Sequence, residues 1–488
     1  MHTMPEMEAI LGRIEEAGFT LSQRSLPYEG GSVEILYVQQ LTDRVSLSEF
    51  VIKPLSRFME NDPGAVRDVK AEVIARRILY ADDCKLKPGG DDIENDILDG
   101  MVVVLLSGKD DHIVVNLKKV EHRAISDPQI EYTLRGPRDS FVENLDTNLA
   151  LVRYRNKDDK LRIEQFKVGR RTKTNVALLY IEDIANNEVV SLMRQRIRDI
   201  DVDAIGDSGE LEVFLQNGKM DLFPQIGLVE RSDMAYHILH DGKLLVLVDG
   251  SGIALSAPKV FTEFFYSCDD RYDNMYFGML MRILRYVSFF VALYASCFFV
   301  GISEFHVDAL PSHYAISLAE MRAKVPFPPI IGALLLEFLV ELLREALLRV
   351  PKQIGSAVGI VSAIVIGQAA ISAGIFSPLL LILVSAELLA SFVMPDYSLI
   401  SPIRVLKFIA LLCTGFLGFY GLVLFSSILL IHLVSIESFG VPYIAPVAPF
   451  RWYDFIRAII FNISFSPYRP LYLNDKDKTR TRTGSKKN

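Results

Sequence analysis

Apolar and polar positions divide this chain into two unlike parts that meet near residue 273. In the first part charged residues alternate with short apolar stretches, whereas long apolar runs dominate the second part. Runs of about 20 apolar residues are long enough to cross a bilayer. The pattern therefore predicts an α/β soluble N-terminal region followed by an α-helical polytopic membrane domain.

The N-terminal region is predicted to contain two subdomains, over 1–165 and 166–272. In the first subdomain, apolar residues at helical spacing predict surface helices over Met4–Ala17 and Pro63–Ile78. Two apolar stretches joined through Ser107–Asp111 predict a pair of strands with a turn between them. We therefore expect this subdomain to contain a β-sheet.

The second subdomain has the order strand, helix, strand. Val176–Glu182 and Lys243–Val248 have the composition of buried strands, and Glu188–Asp199 is amphipathic at helical spacing. This order predicts a parallel α/β crossover. Asp183 and Asp249 each follow a strand, where an aspartate is either a turn residue or a ligand.

The membrane domain is predicted over 273–440, and a C-terminal segment with a basic tail over 441–488. Its predicted spans are an apolar run that ends at Ile302 and the segments Ile354–Phe376, Leu379–Met394 and Phe408–Ile436. A polar loop is predicted after the first span.

Charges at the membrane borders bear on the orientation. Arg282 and Arg285 at the start of the first span favour a cytoplasmic N-terminal side, and the N-terminus lacks the features of a cleavable signal peptide. We therefore expect a cytoplasmic N-terminal domain. The basic tail favours four spans, whereas basic residues around 344–352 and 404–407 favour five, so the number stays open.

A segment between Pro326 and Pro351 carries the most informative polar residues of the membrane domain. Three glutamates four residues apart share one face of a predicted amphipathic helix over 329–350; they are Glu337, Glu341 and Glu345. The prolines that give the helix a rigid start are Pro326, Pro328 and Pro329. The helix either lies at the membrane surface, with Glu341–Arg344 and Glu345–Arg349 pairs, or lines a cation-attracting pore in a symmetric ring.

Two further polar residues lie inside predicted spans. Gln368 and Glu387 are surrounded in sequence by apolar and small residues. Because polar groups within a bilayer are costly, such residues usually face protein or water. Both are therefore candidate intramembrane polar sites.

Composition and motifs exclude several functional classes. The net charge of −8 and the pI near 5.6, without a basic stripe, argue against nucleic acid as a partner. The sequence has no phosphate-binding loop, nucleophile elbow, zinc-binding helix motif or Cys-x-x-Cys, and its four cysteines are scattered. We expect no enzymatic activity, metal site or cofactor.

Several long strings resemble the GerA family, which comprises A subunits of bacterial spore germinant receptors and a related stage V sporulation protein. The strings are VGRRTKTNVALLYI from Val168, VPFPPIIGALLLE from Val325, ELLREA from Glu341, PKQIGSAVGIVSAIVIGQAA from Pro351 and SFGVPYIAPVAP from Ser438. The resemblance runs from about Gly169 to Pro449, whereas the first hundred residues resemble the family less clearly.

The resemblance implies a multi-pass protein of the spore inner membrane that acts in germination. It implies a permease-like B subunit and a lipoprotein C subunit as partners, together with membrane lipid. It also implies self-association in a ring that forms a nutrient-gated channel, which releases monovalent cations early in germination. Glu337, Glu341 and Glu345 are then pore candidates.

Other readings remain open. One is the accessory sporulation ion channel of the same family. Another is a secondary transporter, although the sequence has no second proline-broken helix in a matching position. A third is a membrane-anchored scaffold without a transport path.

Overall fold

The computed structural model describes residues 21–28, 31–38, 42–61, 70–88, 93–98, 100–107, 111–117, 128, 131, 136–218, 221–272, 274–350, 367–369, 371–459 and 468–480. The chain forms two compact units, Met1–Arg123 and Ala124–Asn488. The helix predicted over Met4–Ala17 lies outside the described residues, as do residues 63–69 of the helix predicted over Pro63–Ile78 and most of the span predicted over Ile354–Phe376.

The first unit contains a five-stranded antiparallel sheet with the strand order β1-β2-β4-β5-β3. Its strands are β1 (Leu21–Tyr28), β2 (Gly31–Val38), β3 (Cys84–Lys87), β4 (Val102–Leu106) and β5 (His112–Val115). The two strands predicted around Ser107–Asp111 are confirmed as β4 and β5, with Val104 opposite Ile113.

Helices cover both faces of this first sheet. They are α1 (Arg44–Leu47), α2 (Lys53–Asn61), α3 (Ala71–Val73) and α4 (Ile93–Leu98), with π-helical turns at Ser48–Ile52 and Ile74–Ile78. Because side chains alternate along a strand, Val33 and Ile35 of β2 pack with Leu55 on one face, while Leu36 packs with Ile97 on the other.

The second unit begins with another five-stranded sheet, of order β6-β7-β9-β10-β8. Its strands are β6 (Leu161–Val168), β7 (Thr174–Ile181), β8 (Gly227–Val229), β9 (Leu244–Val248) and β10 (Ala254–Ala257). The helices around it are α5 (Leu145–Arg155), α6 (Asn187–Arg198), α7 (Ser208–Leu215) and α8 (Ser232–His240).

The predicted parallel crossover in this sheet is wrong. The two strands and the helix exist near their predicted bounds, but β7 and β9 pair antiparallel, with Leu178 opposite Val246. Between β7 and β9 the chain forms α7, β8 and α8 in addition to α6, so the connection is not the single helix of a parallel crossover. Hydrophobic patterns identify strands, but they do not fix the direction in which two strands pair.

The second unit continues into a helical region. Its helices are α9 (Met275–Val300), α10 (Ser312–Arg322), α11 (Pro329–Arg349), α12 (Pro378–Phe392), α13 (Ile400–Ser435) and α14 (Trp452–Ile459). Shorter helical turns lie at Phe261–Phe265, Cys268–Arg271, Gly301–Phe305, Val307–Ala309, Tyr397–Leu399 and Leu471–Leu473, and β11 (Glu437–Ser438) pairs with β12 (Val441–Pro442). The predicted polar loop after the first span thus contains helix α10.

Two helical segments, Met275–Phe305 and Tyr397–Ser435, are long and apolar enough to cross a membrane. Both expose large apolar side chains, such as Phe290 at 58% and Phe416 at 78% of their full exposure. Contiguous apolar surface of this kind is typical of membrane or protein contacts.

Helix α13 is bent back on itself at Gly418, where φ is 62° and ψ is −146°. A straight helix of its length would extend about 54 Å. Yet Lys259 contacts both ends: its ammonium pairs with Asp396 at 3.0 Å, and its backbone N–H donates to Ser438 Oγ at 3.1 Å. The segments 400–417 and 419–435, here called the first and second arms, therefore run in opposite directions.

Candidate buried charge site

Helices α11 and the first arm of α13 bring oppositely charged side chains together inside the helical region. Glu337 is only 1% exposed, and its carboxylate pairs with the ammonium of Lys407. Lys407 Nζ also lies 3.6 Å from Glu341 Oε1. One lysine of the first arm thus contacts two glutamates that are one helical turn apart.

Glu341 is bound by two arginines as well. Arg404 Nε donates to Glu341 Oε2 at 2.7 Å, and Arg344 Nη1 donates to Glu341 Oε1 at 3.3 Å. Arg404 and Lys407 are three residues apart, so they share one face of the first arm. The faces of two helices therefore meet as a ladder of opposite charges.

A third carboxyl group enters this site from α12. Glu387 is 4% exposed and accepts a hydrogen bond from the backbone N–H of Ser296 in α9. The hydroxyl of the same serine donates to Glu337 Oε1 at 3.3 Å. Glu387 Oε2 has no hydrogen-bond partner among the described residues. We call Ser296, Glu337, Glu341, Arg344, Glu387, Arg404 and Lys407 the charge cluster.

The remaining sequence candidates lie apart from these contacts. Glu345 pairs with Arg349 at 2.8 Å on an exposed face, and Gln368 is exposed. Helix α11 begins with Pro329 in its first turn after Pro328, while Pro326 precedes the helix on an exposed turn. The glutamates of α11 therefore divide into one buried residue, Glu337, one half-buried residue, Glu341, and one surface residue, Glu345.

The Glu341–Arg344 and Glu345–Arg349 pairs predicted from the sequence are present, but sequence reasoning missed the partners that the first arm and α9 supply. Arg404 and Lys407 entered it only as charges bearing on topology, and Ser296 did not enter it. Arg404 and Lys407 lie three residues apart within an apolar helix. This spacing could have identified them as a basic face complementary to the glutamates of α11. Within the described residues, no group of three or more His, Cys, Asp or Glu side chains is arranged to hold a metal ion.

A second set of buried ion pairs joins the second sheet to the helical region. Lys259 follows β10 and pairs with Asp396, which precedes the first arm, and Lys243 pairs with Glu263. Burial opposes the charge on Glu263, but Lys243 and Lys259 hold its pKa below the ordinary value. Arg285 Nη1 lies 2.7 Å from Asp270 Oδ2, so the first turns of α9 are fixed to the short helical turn Cys268–Arg271 that precedes it.

The C-terminal segment returns to the same sheet. Lys476 Nζ donates to the carbonyl of Glu182 at 2.7 Å, and Arg469 Nε donates to the carbonyl of His240 at 2.8 Å. Fold and site thus define a two-unit protein whose second sheet carries a helical region with membrane-length apolar helices and a buried charge cluster.

Comparison with known proteins assigns the family. Residues 8–470 match the family model of the Bacillus/Clostridium GerA spore germination protein. The chain belongs to the GerA family.

Curated relatives match over most of their length. Spore germination protein KA of Bacillus subtilis (strain 168) is 34% identical over 91% of this chain and 81% of that protein. Spore germination protein GerLA of Bacillus cereus is 34% identical over 91% of this chain and 90% of that protein. Spore germination protein A1 of Bacillus subtilis is 35% identical over 90% and 89%, respectively.

A solved structure also matches. It is the crystal structure of the N-terminal domain of the A subunit of the Bacillus megaterium spore germinant receptor GerK3. It is 23% identical, covers 52% of this chain and 94% of that chain, and has a TM-score of 0.22.

Proposed function

We propose that this chain is the membrane subunit of a spore germinant receptor and that its oligomer forms a nutrient-gated path for monovalent cations in the spore inner membrane. The family and the apolar surfaces of α9 and α13 support a receptor subunit in a membrane. The observation that carries the cation path is the burial of Glu337, with the half-buried Glu341 one turn away, among apolar helices, because carboxylates at such positions often serve ions or protons.

The bend at Gly418 bears on the number of crossings. The start of α9 and the end of the second arm both lie beside the second sheet and its helices, since the hydroxyl of Tyr272, just before α9, donates to Asp233 Oδ2 of α8 at 2.8 Å and Ser438 Oγ donates to the carbonyl of Gln225, just before β8. The tail also contacts this sheet through Lys476. A chain that leaves and returns to one side crosses an even number of times, so in our proposal the N-terminal domain and the tail share the cytoplasmic side.

The path itself follows helix α11. Glu337 and Glu341 contribute carboxylates inside the helical region, and Glu345 provides an exposed carboxylate further along the same helix. Because Lys407 and Arg404 neutralise the two inner glutamates, this structure corresponds to a state in which the path carries little free negative charge. Opening then requires a separation of α11 from the first arm.

Partners follow from the family relationship. In our proposal a permease-like B subunit and a lipoprotein C subunit act with this chain, which self-associates in a ring. The large exposed apolar side chains of α11, such as Phe338 and Leu342, provide surface for lipid or a neighbouring subunit. Co-purification of the tagged chain with the products of neighbouring genes tests this arrangement.

The first prediction concerns flux. We expect Glu341→Gln to change cation release at least severalfold, because it removes charge from the proposed path and frees Arg404. The purified full chain, alone and with its partner subunits, is reconstituted in liposomes that contain a potassium-sensitive dye. Glu320→Gln, on an exposed position of α10, is the matched control. Normal flux and normal germination of Glu341→Gln at normal abundance would contradict the path.

A further inference from the structure

Helix α14 holds its charged side chains inside the protein and its tryptophan outside. Asp454 and Arg457 are buried, whereas Trp452 of the same helix is 66% exposed. A helix on a water-facing surface has the opposite arrangement, with charged residues outside and apolar residues against the core. The outer face of α14 is therefore suited to an apolar environment.

The buried charges fix the orientation of this helix. Asp454 Oδ1 accepts a hydrogen bond from the backbone N–H of Leu471 at 3.2 Å. Arg457 Nη2 lies 3.4 Å from Oδ1 of Asp241, the residue that follows α8. A rotation that turned Trp452 inward would separate both charges from these partners, which is costly for buried groups. The contacts on the inner face of α14 therefore hold Trp452 outward.

Two phenylalanines extend the outer surface around Trp452. The ring centroid of Phe450 lies 5.8 Å from that of Trp452 and 5.5 Å from that of Phe455. Phe450 is 59% exposed, and Val447 is also exposed. We call Phe450, Trp452 and Phe455 the aromatic patch. Adjoining exposed apolar side chains of this kind are typical of membrane or protein contacts.

The aromatic patch lies beside the first turns of α9. Arg282 Nη1 donates to the backbone carbonyl of Arg457 at 3.3 Å, so α14 contacts the early part of α9. Helix α9 has 26 residues and a length of about 39 Å, which exceeds the hydrocarbon core of a typical bilayer, about 30 Å thick. Arg282 Nε lies 3.2 Å from Asp270 Oδ2, and this buried pair favours placing the excess length at this end, because charges are costly inside the core. The aromatic patch is thus level with the start of the predicted span.

We propose that the aromatic patch is a membrane anchor that contacts lipid between the headgroups and the acyl chains of the bilayer. Tryptophan is enriched at this level, because its ring is apolar and its N–H can donate to the polar headgroup region. The first turns of α9 also expose large apolar side chains, such as Tyr276 and Phe277. This continuity with the apolar surface of α9 favours lipid over a second copy of the chain as the occupant. The proposal rests on the proposed membrane location and is independent of the cation path.

Such an anchor also positions the second sheet. Arg457 links α14 to Asp241 at the end of α8. Leu239 of α8 lies in the same apolar core as Leu245 of β9. Lipid contact at the aromatic patch therefore holds the sheet, as well as α14, close to the bilayer.

The second prediction concerns the depth of Trp452, which is the only tryptophan of the chain. The purified full chain is reconstituted in phosphatidylcholine vesicles whose acyl chains carry bromine either near the headgroups or near the bilayer centre. Bromine quenches tryptophan fluorescence on contact. We expect bromine near the headgroups to remove about half or more of the emission and bromine near the centre to remove much less, because the indole lies at the membrane border.

Iodide on both sides of the vesicles supplies the complementary measurement, and we expect it to quench Trp452 weakly. Strong iodide quenching with little bromine quenching would place Trp452 in water. Protection from both quenchers would place it against a second copy of the chain. Stronger quenching by bromine near the centre would place it within the hydrocarbon core. Each of these results overturns the anchor.

Matched variants calibrate the probe and separate this proposal from the membrane location. In a Trp452→Phe background, Phe290→Trp reports from an exposed position in the middle of α9, and Tyr154→Trp from an exposed position of α5. Phe290→Trp should be quenched most by bromine near the centre, and Tyr154→Trp by iodide alone. Bromine quenching of Phe290→Trp but not of the native protein overturns the anchor alone. Absence of bromine quenching in both overturns the membrane location as well.

Discussion

Individual buried charges dominate the energetics of the helical region. Glu337 and Lys407 are both largely withdrawn from solvent, and each depends on the other for compensation. Removing one partner of such a pair leaves an uncompensated buried charge, which costs about 3–5 kcal/mol. Glu345 and Arg349 are an exposed pair on the same helix, with side chains 55% and 80% exposed, and pairs of that kind contribute about 0–1 kcal/mol.

The third prediction follows from this difference. Glu337→Gln should lower the free energy of unfolding by about 3 kcal/mol, whereas Glu345→Gln should change it by less than about 1 kcal/mol. Thermal and denaturant unfolding of the purified chain measure both. Similar losses for the two variants would show that Glu337 is not buried against Lys407. Glu337→Gln combined with Lys407→Met should recover part of the loss, because no unpaired charge remains.

Among the elements, α13 decides how the helices can pack. Its reversal at Gly418 uses a positive φ that residues with a side chain rarely adopt. A Cβ at this position would lie 3.0 Å from Phe305 Cγ. The reversal brings the second arm back along α9, where Tyr294 and Ser426 share a hydrogen bond of 3.1 Å. It also places Asp396 and Ser438 beside the same residue, Lys259, which follows β10.

The fourth prediction uses two glycines with positive φ. Gly418→Ala should destabilise the protein by about 1–3 kcal/mol from backbone strain, with a further cost from the contact with Phe305. Gly440→Ala is the control, since its φ is also positive but nothing lies within 4 Å of the added Cβ. Unfolding temperatures of the two variants measure the difference. An equal or smaller shift for Gly418→Ala would argue against a tight reversal.

In the whole second unit, the C-terminal segment contacts the sheet through Lys476 and Arg469 and buries an aspartate there. Asp475 is 3% exposed, and neither carboxyl oxygen has a hydrogen-bond partner among the described residues. Burial raises the pKa of Asp475 to about 8, although Arg469 and Lys243 oppose the shift and Asp477 adds to it. The bound segment therefore favours the protonated acid.

The fifth prediction is a pH dependence of this contact. Because the pKa of Asp475 is higher when the segment is bound, binding is strongest below about pH 4 and weakens as pH rises to about 8. Above that value the acid is ionised in both states, so no further loss is expected. Protease protection of the C-terminal segment at pH 6 and pH 9 measures the effect, and Asp475→Asn should remain protected at both. Unchanged protection of the native segment would contradict the prediction.

The sequence by itself determined the local elements and the family. Apolar runs identified β7 and β9, two of the five strands of the second sheet, and a spacing of four residues placed three glutamates on one face of α11. The family resemblance, now confirmed, came from long strings in the second unit. These features depend on residues close in sequence, so periodicity and composition are enough to find them.

Only the tertiary structure decided how these elements meet. The antiparallel pairing of β7 with β9, the reversal at Gly418 and the pairing of Glu337 with Lys407 all join residues far apart in sequence. An isolated ladder of glutamates is compatible with a membrane surface, a pore or an ion pair, because its free energy depends on which charges the rest of the chain places beside it. Here the first arm supplies a lysine and an arginine, and packing against α9 and α12 excludes the water that would otherwise solvate them.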